Sequence, residues 1–173
     1  KTTLYYESIP IQTYHWEGSK ETVLLAHGWE SNSGRWRHKI QKLRKDGYNI
    51  IALDGPAHGG SGSDTFNAIL YAEFINVVSQ KFKPTAYIGH SVGGMAVVIF
   101  LKKQTHHTAK RIVLLGAPSG FKGIMTDDMY RNIDIARRST GGAGFASFSG
   151  FTNVFRNASP MPTYEGDNTV MLG

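Results

Sequence analysis

A chain of 173 residues with 40% hydrophobic and 18% charged side chains has the size and composition of one globular domain, which excludes a disordered or fibrous protein. It holds no cysteine, excluding a disulfide framework and thiolate metal sites, and no apolar run approaches the roughly 18 residues that span a bilayer. The net charge of +6 raises nucleic acid as a partner, so its placement along the chain decides that question.

Leu4–Ser8 and Ile11–Trp16 alternate in polarity and predict an antiparallel pair turning at Ile9-Pro10, with Gly18 closing the second strand. Thr22–Ala26 is a short continuous apolar run, as expected of a strand buried on both faces. A basic helix follows and ends near Gly47, a favourable residue just past a helix. Its Arg35, Arg37, Lys39, Lys42, Arg44 and Lys45 surround an apolar stripe at Trp36, Ile40 and Leu43. The charge therefore reads as one solvated helix face, without the interleaved aromatics of a single-strand nucleic-acid platform, and no nucleic-acid partner is expected.

Tyr48–Leu53 is the next buried strand. Asp64 is read as the cap of a helix reaching about Phe82, with Phe66, Ile69, Phe74, Val77 and Val78 on its apolar side. Thr85–Ile88 reads as a strand, Met95–Leu101 as a buried helix and Arg111–Leu115 as another strand. Strands alternating with helices imply an α/β fold with a mainly parallel sheet. Thr126–Arg138 is helix-like, with Thr126 as cap and Asp127, Asp128 and Asp134 as solvated charges.

Near Ser139 the composition changes, which divides the chain into a core (1–138) and a tail rich in Gly, Ser and Phe (139–173). Phe145, Phe148, Phe151 and Phe155 recur at roughly helical spacing among poor helix formers. They read as cover for sheet or helix surface, or alternatively as a cap lining an acyl pocket. Left uncovered, they would favour self-association. The chain begins at Lys1 with no signal-like stretch, so a cytoplasmic location is expected, with a removed leader left open.

The chemistry concentrates at Gly89-His90-Ser91-Val92-Gly93, a G-x-S-x-G pattern between an apolar strand and an apolar helix. That setting makes it a nucleophile elbow. A serine hydroxyl is a poor nucleophile unless exposed, strained and close to a base, and the turn aims backbone N–H groups to where negative charge develops. Ala26-His27-Gly28-Trp29 and Asp54-Gly-Pro-Ala-His-Gly-Gly-Ser61 close the two preceding buried strands at the same carboxyl edge, where ligands bind in open α/β sheets.

With these motifs in this order, and with Gly116-Ala117-Pro118 after the last strand, residues 20 to 120 resemble the α/β-hydrolase family, particularly its esterase-like members. The resemblance implies a three-layer sandwich on a mainly parallel sheet with an N-terminal antiparallel hairpin. It implies Ser91 as nucleophile, an oxyanion hole from the Trp29 and Val92 backbone N–H groups, and an acyl-enzyme formed from a small carboxylic ester, with no cofactor. By the same analogy His27 and His58 hold loop geometry. His90 is expected to point away from Ser91, and His106 and His107 to lie on the surface. His15 and His38 show no partner, and seven scattered histidines offer no metal site.

The chain also departs from the family, whose triad runs Ser, acid, His. No histidine follows Arg111, so the C-terminal strands are expected to be truncated or replaced. Pro162–Val170 is faintly similar to the acid-bearing strand end and nominates Asp167. A substitute base would be His27 or His58 rearranged, a partner chain, or water. Two readings follow: a serine hydrolase of small carboxylic esters, or a truncated non-catalytic domain acting as a binding or assembly module. The second would form a homo-oligomer through an exposed sheet edge or the Phe-rich tail.

Overall fold

Short apolar runs and their punctuation build each element of the computed structural model, which describes residues 1–116. Strands β1 (Thr2–Tyr6) and β2 (Ile9–Trp16) form the antiparallel hairpin. Its turn is Glu7-Ser8, with Glu7 at φ +52°, a sign that suits tight hairpin loops. The expected turn at Ile9-Pro10 is thus corrected: Pro10 lies inside β2, opposite Tyr5. Proline is tolerated there because β2 pairs with its other neighbour only from Thr13 to Trp16. On that side Pro10 faces a loop, and its carbonyl accepts the Gly62 N–H at 2.8 Å.

The chain then gives β3 (Thr22–Ala26), a 3-10 turn over Ser33–Trp36, α1 (Arg37–Lys45) and β4 (Asn49–Leu53). After a long loop come α2 (Ala68–Phe82), β5 (Ala86–His90), α3 (Val92–Lys103) and β6 (Arg111–Leu115). The sheet order is β1-β2-β4-β3-β5-β6. β2 meets β4 antiparallel, and β4, β3, β5 and β6 run parallel. All the parallel strands therefore end at one edge.

Helix α2 starts later than the sequence suggests. Asn67, not Asp64, caps it, its Oδ1 accepting the Leu70 N–H at 2.8 Å, a bond worth about 1 kcal/mol. Phe66 consequently precedes the helix instead of lying on its apolar face, and Ile69 is 64% exposed. The buried face runs through Tyr71, Phe74, Ile75 and Val78, the spacing of one helix side.

Three layers result. Residues of α2 and α3, among them Phe74, Val78, Val97 and Phe100, pack on one sheet face against Leu24, Ile51, Leu53, Tyr87 and Ile112. On the other face Trp36, Ile40 and Leu43, the expected stripe, cover Val23, Leu25, Ile50 and Ile88. Successive β3 residues thus serve opposite layers, and each large side chain so buried contributes about 1.5–3 kcal/mol. The Thr126–Arg138 segment, the 139–173 tail and Asp167 lie outside the described residues, as does the part where C-terminal strands were expected to be truncated or replaced.

Candidate active site

At the carboxyl edge of the sheet β3, β4 and β5 deliver His27-Gly28-Trp29, the Asp54–Ser61 loop and Ser91 to one place. Ser91 has φ +49° and ψ −122°, a conformation that costs a non-glycine residue about 1–3 kcal/mol. Neighbours hold it there. Its N–H donates to Leu115 O at 2.8 Å, and its carbonyl accepts from Gly94 and Met95 at 2.9 and 3.1 Å. A Cβ at position 93 would overlap the His27 and Ala26 carbonyl oxygens, so only glycine lets α3 begin so close to the β3 loop. A Cβ at position 28 would stand 3.0 Å from the Ser91 Cβ and 2.7 Å from His90 Nδ1. Trp29 therefore leaves a glycine that lies directly against the serine. Among the described residues, neither the Trp29 nor the Val92 N–H donates a hydrogen bond.

The β3 and β4 loops are joined by three side-chain acceptors on backbone donors. His27 Nε2 takes the Gly55 N–H at 2.7 Å, Asp54 Oδ1 takes the Ser33 N–H at 2.8 Å, and His58 Nε2 takes the Glu30 N–H at 3.1 Å. Asp54 is 1% exposed, and its Oδ2 also accepts from Gly60 N at 2.9 Å and Tyr14 O–H at 3.1 Å. Burial and the Asp54 charge both raise the Tyr14 phenol's pKa, so it stays a donor.

Each imidazole is spoken for at both nitrogens. His27 Nδ1 meets Gly28 O at 2.7 Å and His58 Nδ1 meets Pro56 O at 2.8 Å. The proton therefore sits on Nδ1 in both rings and Nε2 is the acceptor, which requires neutral histidines. Burial pushes the His27 pKa down, in agreement. Neither ring has a nitrogen left to take a proton from Ser91 in this arrangement. His15, expected to have no partner, bonds Asn49 Oδ1 through Nε2 at 2.7 Å. His106 and His107 are exposed, as expected. No group of three or more metal-ligating side chains occurs among the described residues.

His90 does not leave the site as expected, since its Nδ1 borders Gly28 alongside Ser91. That nitrogen is buried without a hydrogen-bond partner among the described residues. Burial first, and the Arg35 charge second, lower its pKa from 6.5 to about 4. A depressed imidazole pKa means the unfolded chain takes up the proton first as pH falls. The stabilisation is present above about pH 6.5 and is lost as pH falls through 4. The unfolding midpoint of a His90→Leu chain should therefore drop less between pH 6.5 and 4 than the parent's, with His27 contributing equally to both. Parallel curves would exclude His90 as a source of acid sensitivity.

Aromatic rings form one wall of the site. Phe66 lies 4.4 Å from His58, 5.0 Å from Trp29 and 5.7 Å from Tyr71, centroid to centroid. Trp29 remains 57% exposed. The sequence placed Phe66 in the helix core and gave Asp54 no individual role. The only signal for Asp54 was its place at the head of the glycine-rich loop, because its partners Ser33 and Tyr14 lie 21 and 40 residues away.

An open, mainly parallel sheet with a strained serine between strand β5 and helix α3 is the α/β-hydrolase architecture. The family comparison agrees: the model described as serine aminopeptidase, S33 matches residues 17–127, and the chain belongs to this family of α/β-hydrolases. A second model, acyl-CoA oxidase C-alpha1 domain, matches residues 97–173. Of that stretch, residues 97–116 are the later part of α3 and strand β6 of the same sheet.

Among relatives, a non-heme haloperoxidase of Rhodococcus erythropolis is 29% identical over 105 residues, covering 58% of this chain and 38% of that protein. A monoacylglycerol lipase of Mycolicibacterium smegmatis is 30% identical over 87 residues, covering 45% and 31%. The chain thus spans well under half the length of these relatives. The esterase of Exiguobacterium antarcticum shares the fold at TM-score 0.60 and 24% identity, over 76% of this chain and 52% of that one.

Proposed function

We propose that this chain carries the nucleophile and oxyanion hole of a serine hydrolase acting on small carboxylic esters. The supporting observation is Ser91 in its strained turn, with the Trp29 and Val92 N–H groups making no hydrogen bond among the described residues. Ser91 Oγ attacks the ester carbonyl and gives its proton to a base, and the two N–H groups hold the oxyanion. The intermediate collapses by breaking the bond to the alkoxy oxygen, which leaves as the alcohol after taking up a proton. Water then attacks the Ser91 acyl ester, releasing the acid and restoring the serine. Two such donors supply several kcal/mol to the transition state.

With both nitrogens of His27 and His58 engaged, these residues hold loops, and the base is a different group. Asp167 stays the candidate acid. Ester substrates are favoured because relatives include a monoacylglycerol lipase and a bifunctional esterase/perhydrolase. A fluorophosphonate probe tests the reading. Covalent labelling of the parent chain, lost on Ser91→Ala, is the expected result. An unlabelled parent would overturn it and leave a non-catalytic binding module.

A further inference from the structure

The β1 edge of the sheet carries a row of outward backbone groups. Whether a β1 residue turns its N–H and C=O toward β2 or away from it follows from what its β2 partner bonds. Thr3 lies opposite Gln12, and Tyr5 lies opposite Pro10. Gln12 spends both of its backbone groups away from β1: its N–H donates to Ser61 Oγ at 2.9 Å, and its carbonyl accepts the Asp54 N–H at 3.0 Å. Pro10 has no N–H, and its carbonyl accepts from Gly62. Thr3 and Tyr5 are therefore non-hydrogen-bonded positions of the hairpin, and their own N–H and C=O groups face out of the sheet. Among the described residues no strand lies beyond them.

This edge also lacks the features that ordinarily keep two sheets apart. Residues Thr2–Tyr6 contain no proline and no charge, and they pair with β2 in unbroken register, without a bulge. Leu4 and Tyr6 pack against the core on the face covered by α2 and α3. Lys1, Thr3, Tyr5 and Glu7 are exposed, Tyr5 by 62%. About its middle, that exposed row is self-complementary. When a second copy runs antiparallel with Leu4 opposite Leu4, Thr3 faces Tyr5 and Lys1 faces Glu7 on both sides of the axis. The backbone agrees with the same alignment, because outward-facing Thr3 then meets outward-facing Tyr5. Placing Thr3 on Thr3 would set Lys1 beside Tyr5 and leave Glu7 unopposed, and placing Tyr5 on Tyr5 would leave Lys1 unopposed.

We infer that the β1 edge is a homodimer interface, at which two copies of this chain pair antiparallel about Leu4 and join their sheets into one. Each Thr3–Tyr5 pair exchanges both of its N–H···O=C bonds, and the two Leu4 residues take the close spacing of about 4.5 Å between Cα atoms. Thr3 of one copy covers the exposed Tyr5 ring of the other, a β-branched–aromatic pair of the kind that stabilises sheets. Opposite charges close the ladder at its ends. A ladder this short makes a weak dimer that assembles with concentration. Since β1 lies at the far side of the sheet from β5, pairing there is independent of Ser91 and of ester chemistry.

Sedimentation equilibrium of the full chain should show a reversible monomer–dimer equilibrium as concentration rises. Glu7→Lys sets lysine against lysine at both ends and should weaken the dimer about 10-fold in Kd. Adding Lys1→Glu to that variant restores opposite charges and should return Kd to within about twofold of the parent. Tyr5→Pro removes an outward N–H that the hairpin does not use, so the chain should keep its circular dichroism and sediment as a monomer. The chain has no cysteine, so Leu4→Cys offers a single thiol. Oxidation should link two copies through it, because Cα atoms about 4.5 Å apart suit a disulfide, whereas Thr3→Cys, placed opposite Tyr5, should link far less.

A parent that stays monomeric throughout, or a dimer indifferent to both Glu7→Lys and Tyr5→Pro, would overturn the interface. If Tyr5→Pro fails to fold, the charge pair decides: a double reversal no tighter than Glu7→Lys alone removes it.

Discussion

Ser91→Ala is expected to lower kcat/KM for p-nitrophenyl acetate by at least about 10³-fold, leaving only the residual rate that the oxyanion hole and binding sustain over water, with the fold intact. The hydroxyl is the atom lost. The backbone bonds that hold residue 91, to Leu115, Gly94 and Met95, use no side-chain atom, and alanine takes φ +49° at much the same cost as serine. Circular dichroism and the unfolding midpoint should therefore match the parent within about 0.5 kcal/mol. An alanine chain as fast as the parent would remove Ser91 from the chemistry. A large loss of stability would show instead that the side chain is part of the packing.

The largest stability effect is expected at Asp54. Its carboxylate accepts from Ser33, Gly60 and Tyr14 in a position closed to water. Asp54→Ala leaves the Ser33 N–H, a buried donor, without its partner, and a stranded donor of this kind costs about 1–3 kcal/mol. With the charge-assisted bonds to Gly60 and Tyr14 also gone, a total of about 3–5 kcal/mol is expected, lowering the unfolding midpoint by roughly 10 °C. Asp54→Asn should fall between, since its oxygen can still serve Ser33 while its NH2 faces the Gly60 N–H. A midpoint shift below about 2 °C for Asp54→Ala would mean that the loops hold each other by other means.

The parallel strands were legible because each is a short apolar run between turn residues, and two of them, Thr22–Ala26 and Arg111–Leu115, match the structure end to end. The hairpin turn was misplaced because proline usually marks a turn, whereas here β2 outruns its pairing with β4 and Pro10 needs no donor. The start of α2 was misread between two residues of equal capping ability, Asp64 and Asn67, which only the chain's path can distinguish. The elbow was legible as a pattern of small residues around a serine. The links among Asp54, Ser33, His58 and Glu30 were not, because a side chain accepting a distant backbone N–H leaves no periodicity and demands nothing of its partner's residue type.

The conformation of Ser91 has a consequence for any attempt to harden this protein. Glycine occupies φ +49° without the Cβ penalty, so Ser91→Gly should unfold about 1 kcal/mol later than the parent, even after the entropy that glycine adds to the unfolded chain. The proposed nucleophile is then the residue that selection for heat resistance would discard first. Variants at this position should rank in opposite orders by melting temperature and by turnover. An inversion of that kind at one residue, and not at its neighbours, would identify a place where the fold surrenders stability to keep a reaction.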